Sequence, residues 1–69
     1  MDIHINVTHP ADRQGYVAQL WAEDELLAEV AEENGDLVVE IIAEAPWKLP
    51  HGQLVGALEG AKEQIDARR

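Results

Sequence analysis

The chain has 69 residues, of which 14 are Asp or Glu and 5 are Lys or Arg, so its formal net charge at pH 7 is -9. This length holds one domain, residues 1–69, with a small core. Cys is absent, so no disulfide supplements that core. Without a secretory signal or a membrane-length apolar run, we expect a cytoplasmic protein. The negative surface repels phosphate backbones, which argues against direct binding to DNA or RNA.

The N-terminal third predicts two strands. Alternating apolar and polar side chains over residues 2–8 indicate a half-buried strand that ends before Pro10, which cannot donate to a sheet ladder. After a polar loop, residues 16–22 are rich in β-forming side chains and predict the second strand. We expect the chain to reverse at Asp24 and Glu25.

Asn34 and Gly35 predict a tight β-hairpin, because a type I′ turn needs positive φ at both central positions. Residues 36–43 beyond the turn indicate a strand. Residues 26–33 favour helix as much as strand by composition, but the hairpin assigns them as the partner strand. The expected sheet is therefore four-stranded and antiparallel.

The hairpin register predicts the character of each sheet face. A two-residue loop pairs Val30 with Val39 and Leu26 with Ala43 on one apolar face. The other face is expected to mix apolar side chains with the like-charged pairs Glu29/Glu40 and Glu33/Asp36. The apolar residues expected on this second face are Tyr16, Leu20, Leu27, Ala31, Val38 and Ile42.

A C-terminal helix is predicted over residues 50–67, where Pro50 is suited to the first turn. The stripe expected to lie on the sheet consists of Leu54, Leu58, Ala61 and Ile65. Gly52, Gly56 and Gly60 recur every fourth residue near the opposite side of the helix. Beside Glu59 and Glu63 they either admit the backbone of a partner or simply make a weak helix. The expected fold is α+β, with this amphipathic helix packed on one face of the sheet.

Two resemblances accompany this pattern. Residues 35–41 (GDLVVEI) and 46–50 (PWKLP) resemble small bacterial proteins with a β-meander, a turn containing Pro and Trp, and a closing helix; this likeness implies no activity. Residues 57–65 (ALEGAKEQI) resemble the helix of HicB-type antitoxins, which follows a three-stranded sheet. The Pro-Gly strand ending of those antitoxins is missing here.

The sequence offers little for catalysis or metal binding. The three His residues, His4, His9 and His51, do not have metal-ligand spacing. Glu29 and Glu40 are candidates for an acid/base pair, but a domain this small hardly encloses a pocket of about 300 Å³ around them. No Gly-rich phosphate loop, Cys or Ser is present. We therefore expect no cofactor, no metal and no enzymatic activity.

A single helix leaves the second face of the sheet in solvent, and an apolar and acidic surface of that kind indicates a protein-binding module. A partner protein with a basic surface, or a second copy in a homodimer, is expected to cover it. The residues expected at this interface are Glu29, Glu33, Asp36, Glu40, Leu27, Val38, Ile42, Glu59 and Glu63.

Two forms of such a module stay open. One is an inhibitor that occupies a basic nucleic-acid channel, as phage anti-defence proteins including anti-CRISPRs do. The other is an antitoxin or immunity protein that caps a toxin. A small enzyme or metal-binding protein is the alternative from another class.

Overall fold

A four-stranded antiparallel sheet and one C-terminal helix make up the fold, which confirms the predicted α+β class. The computed structural model describes residues 2–13 and 15–68. The elements are β1 Ile3–Thr8, β2 Val17–Ala22, β3 Glu25–Glu33, β4 Asp36–Ile41 and α1 His51–Ala67. The strands follow the order β1-β2-β3-β4. No helix in the described part of the chain has the length and apolar composition needed to cross a membrane.

The β3–β4 hairpin has the predicted turn and register. Asn34 and Gly35 have φ angles of 53° and 88°, the positive values that a type I′ turn requires. Glu33 pairs with Asp36, and Glu29 pairs with Glu40. The predicted turn and the like-charged pairs are therefore confirmed.

The β2–β3 connection differs from the prediction by one residue. The chain reverses at Glu23 and Asp24, and β3 already begins at Glu25. Glu23 takes a φ of 56°, a left-handed conformation that is uncommon for a residue with a side chain. The turn is thus shifted by one residue toward the N-terminus, and it places Glu23 in a constrained conformation.

A β-bulge in β3 alters the predicted arrangement of its first residues. Leu20 pairs with Ala28, but Trp21 pairs with Leu26, so Leu27 is an extra residue between the two pairs. The amides of residues 42 and 43 both donate to the carbonyl oxygen of Leu27, at 2.8 and 3.1 Å. The predicted pairing of Leu26 with residue 43 is therefore absent, and β4 ends two residues early.

The bulge also corrects the predicted second face. Two successive residues opposite one partner shift the side-chain alternation. Leu27 is only 7% exposed and belongs to the core that packs against α1. Leu20 is buried in the same core. Placing Leu20 and Leu27 on the second face was therefore wrong, and Leu26, paired with Trp21, is on that face instead.

α1 lies across β1 and β2 and only reaches the near side of β3. Its buried residues are Ala57, Ala61 and Ile65, while Leu58 is half-buried. Leu54 is 37% exposed, so the predicted stripe was wrong at this position. The helix is oriented so that Ala57 faces the sheet, whereas the predicted stripe placed Leu54 there.

Gly60 explains this rotation of the helix. A Cβ atom at Gly60 would lie 3.0 Å from Cδ1 of Ile5, so the bare backbone of this residue faces β1. Gly52 and Gly56 are exposed, with no atom near the position of a Cβ. The predicted glycine stripe on the far side of the helix is therefore wrong for Gly60, which serves close packing inside the protein.

We expect Leu20→Ala to lower the free energy of unfolding by about 2–5 kcal/mol, because Leu20 is a large, fully buried side chain and the fold closes poorly over the cavity. Leu54→Ala, at a partly exposed helix position, should cost about 1 kcal/mol or less. Urea unfolding followed by circular dichroism measures both. Equal effects would contradict the placement of the helix.

The two helix glycines provide a matched pair. Gly56→Ala should stabilise the protein by about 0.5–1 kcal/mol, because the site is open and alanine favours helix. Gly60→Ala should stabilise the protein less than Gly56→Ala, or destabilise it, because the added Cβ would press on Ile5. Thermal melts of the two variants compare them directly, and an equal gain at both positions would contradict a tight contact between Gly60 and Ile5.

Candidate protein-binding surface

The sheet face that points away from α1 carries exposed side chains mainly on β1 and β4 and half-buried ones between them, and we call it the open face. Side chains alternate along each strand, and the residues of β2 that pack under α1 are Ala18, Leu20 and Ala22. The open face therefore consists of His4, Asn6, Thr8, Val17, Gln19, Trp21, Leu26, Glu29, Ala31, Glu33, Asp36, Val38 and Glu40, with Ile42 at its margin.

Four carboxylates lie together on the β3–β4 half of this face. Glu29 is directly opposite Glu40, and Glu33 is directly opposite Asp36. Among the described residues, none of the four carboxylates forms an ion pair. Side chains directly opposite across an antiparallel pair lie about 5 Å apart, so the like charges repel. The hairpin therefore presents concentrated negative charge, as the sequence predicted.

A hydrogen-bonded row extends from this charge across the sheet. Asn6 Nδ2 donates to Gln19 Oε1 at 3.2 Å, and Gln19 Nε2 donates to Glu29 Oε2 at 3.3 Å. Trp21 Nε1 donates to the same Gln19 oxygen at 3.1 Å. The bond from Gln19 restricts the position of the Glu29 carboxylate on the open face.

Gln19 and Trp21 are therefore part of the candidate surface, although the sequence did not single them out. Trp21 is half-buried beside the carboxylates, and Trp is enriched among residues that dominate binding energy at interfaces. The register between β2 and β3 pairs Gln19 with Glu29, and Trp21 joins this pair through its hydrogen bond to Gln19. That register depends on the bulge at Leu27, which no sequence signal marked.

Some apolar residues of the open face are exposed to solvent and others are buried. Val38 and Ile42 are exposed, as predicted for a binding surface. Val17 and Ala31 are buried where they pair at one end of the face, next to a cleft lined by Arg13 and other loop residues. Val38 and Ile42 are therefore accessible on the open face, whereas Ala31 is not.

The remaining predicted interface residues lie elsewhere. Glu59 and Glu63 are exposed on α1, in the layer on the other side of the sheet. The structure does not bring them together with the hairpin carboxylates.

No group of three potential ligands in the described ranges is arranged to hold a metal ion. No protein-family model, curated protein or solved structure matches the chain.

Replacing one member of the acidic pair tests the geometry of the open face. Glu40→Lys should raise the free energy of unfolding by about 0.2–1 kcal/mol, since it turns repulsion from Glu29 into attraction. Glu44→Lys makes the same change of net charge outside the strands and is the control. Urea titrations at low salt and at about 1 M NaCl measure the difference, which should fade as salt screens the pair. Equal effects of both variants would mean that only the total charge matters.

Proposed function

We propose that the protein is a small acidic binding module that docks its open face on a basic surface of a partner protein. Where that basic surface binds nucleic acid, docking blocks it, so the module acts as an inhibitor. The observation that carries this proposal is the group of hairpin carboxylates on one exposed face, without an ion-pair partner among the described residues.

Electrostatics supports a basic partner in two ways. A formal charge of -9 on a small protein creates a negative field that accelerates association with a positive surface. Within the interface, Lys or Arg side chains of the partner would relieve the repulsion between Glu29 and Glu40. The free protein is thus strained at the position where a basic partner would stabilise it.

The open face also has the composition of a binding site. Trp21 and Leu26 pair across β2 and β3, and Val38 and Ile42 are exposed on the β4 side. Apolar residues alternate with the carboxylates along this face, and aromatic residues such as Trp21 are enriched at protein interfaces. The carboxylates then govern the rate and orientation of docking, and the apolar residues contribute to its lifetime.

The charge-reversal pair Glu29→Lys and Glu40→Lys should slow association with the partner about tenfold or more at low salt, while folding is retained. The matched control is Glu59→Lys with Glu63→Lys, which changes net charge equally on the opposite layer. Proteins captured from cell extract by the parent and the control, but not by the open-face variant, identify the partner. Association rates with that purified protein are then measured over a salt series.

Competition with nucleic acid completes the test. The parent protein should displace DNA or RNA from the partner, and the open-face variant should do so far less well. A captured toxin without a nucleic-acid site would replace the inhibitor with an antitoxin that caps its target. An association rate that changes neither with salt nor in the variant with Glu29→Lys and Glu40→Lys would overturn the proposed function.

A further inference from the structure

β4 is an edge strand of the sheet, with a neighbour on one side only. In a hairpin with a two-residue loop, the residues that flank the turn form a hydrogen-bonded pair, here Glu33 and Asp36. Alternate residues of β4 therefore bond to β3. The backbone groups of Leu37, Val39 and Ile41 point outward, away from the sheet, and are available to another strand.

The side of β4 toward the α1 layer is apolar and largely uncovered. Val39 is 42% exposed and Ile41 is 72% exposed, because α1 lies over β1 and β2. A groove of about 420 Å³ adjoins Ile41. Its walls include Leu27 from β3, Trp47 from the segment before the helix, and Leu54 from the helix itself.

The other side of β4 has the opposite character. Asp36 and Glu40 lie on the open face, with Val38 between them. The outer edge of β4 therefore presents three features: backbone groups free to pair, the carboxylates of Asp36 and Glu40 on one side, and an exposed apolar side that leads to the groove beside Ile41. An extended chain can satisfy all three at once, since its side chains alternate between the two sides.

We propose that the edge of β4 accepts an extended segment of the partner protein as a fifth strand, in which Lys or Arg alternates with apolar residues. The basic side chains lie beside Asp36 and Glu40, and the apolar ones lie over Val39 and Ile41 toward the groove. Strand addition of this kind combines main-chain hydrogen bonds with side-chain pockets. The inference rests on the proposed function and specifies the form that the partner takes.

Charge and packing single out this edge and this occupant. The outer strand β1 is covered by α1 on its apolar side, and its open-face residues His4, Asn6 and Thr8 include no acid. A second copy of the chain that paired through the same edge would bring its own Asp36 and Glu40 against those of the first. A basic segment is attracted there instead.

A short synthetic peptide tests strand addition directly. The probe has about eight residues with Lys and Val in strict alternation. The control peptide has the same composition arranged as Lys-Lys-Val-Val repeats, which keeps its charge but prevents all Lys from facing one side of a strand. Fluorescence anisotropy at low salt should show the alternating peptide binding about tenfold more tightly. Equal affinities, or no binding of either peptide, would overturn the inference.

Amide hydrogen exchange locates the bound peptide. The amides of Leu37, Val39 and Ile41 should exchange fast in the free protein and become at least about tenfold slower with the alternating peptide. If the peptide slows exchange of other amides on the open face but not of these three, strand addition is overturned. Slow exchange of these amides in the free protein, together with a dimer in sedimentation, would show that a second copy occupies the edge and would also overturn the inference.

A backbone variant separates pairing from charge. Val39→Pro removes one outward amide, and proline is tolerated on the solvent side of an edge strand. This variant should bind the alternating peptide about tenfold more weakly. Val39→Thr, which keeps the amide, should change the affinity for the peptide about threefold or less. Failure here, while the open-face charge reversal still slows association with the natural partner, would refute strand addition and leave the proposed function standing.

Discussion

One helix cannot cover four strands, and the surfaces of this protein follow from that constraint. A helix with its side chains is about 10 Å wide, whereas the outer strands of a four-stranded sheet lie about 14 Å apart at a spacing of about 4.8 Å. α1 settles on β1 and β2 and leaves β4 bare on the helix side. Because residues 2–13 and 15–68 contain no second helix to cover the other face, the open face lacks a covering layer as well. Both candidate binding surfaces thus arise from the same mismatch of widths.

The position of the helix depends on small residues at its contact with the sheet. Gly60 sits against Ile5, and Ala57 and Ala61 are buried where the helix meets the strands. Small side chains allow close approach, but each buries little apolar area and so contributes little to stability. Leu20 and Ile65 are among the few larger buried side chains. A helix shifted toward β4 would cover Ile41 but would lose the close contact between Gly60 and β1.

The sequence was sufficient to predict the hairpin half of the site. Asn34 and Gly35 determine the turn, and the turn determines which carboxylates face each other. The bulge was not predictable, because it depends on two amides sharing the Leu27 carbonyl oxygen, a contact between the end of β4 and β3. The rotation of the helix was missed for a similar reason: leucine spacing favoured Leu54, but tertiary packing on β1 selected the smaller residues. Local signals were thus sufficient for the fold and for the carboxylates of the hairpin. Long-range contacts determined that Leu27 lies in the core and that Gln19 and Trp21 lie beside the carboxylates on the open face.

An exposed edge strand next to an apolar groove is ordinarily an aggregation hazard, because any extended chain can pair with it. The carboxylates on β4 limit this hazard selectively. At physiological ionic strength, charges are screened beyond about 8 Å, so the repulsion between two copies acts mainly when their edges nearly touch. The charges that matter are therefore the local ones, Asp36 and Glu40 on the strand and Glu44 just beyond it, rather than the distant acids of α1. The same short range means that a basic strand is distinguished from an acidic one at the moment of pairing. In the proposed strand addition, the same few side chains would repel acidic strands and attract basic ones. Such charges provide specificity where apolar burial and main-chain bonding alone would accept many sequences.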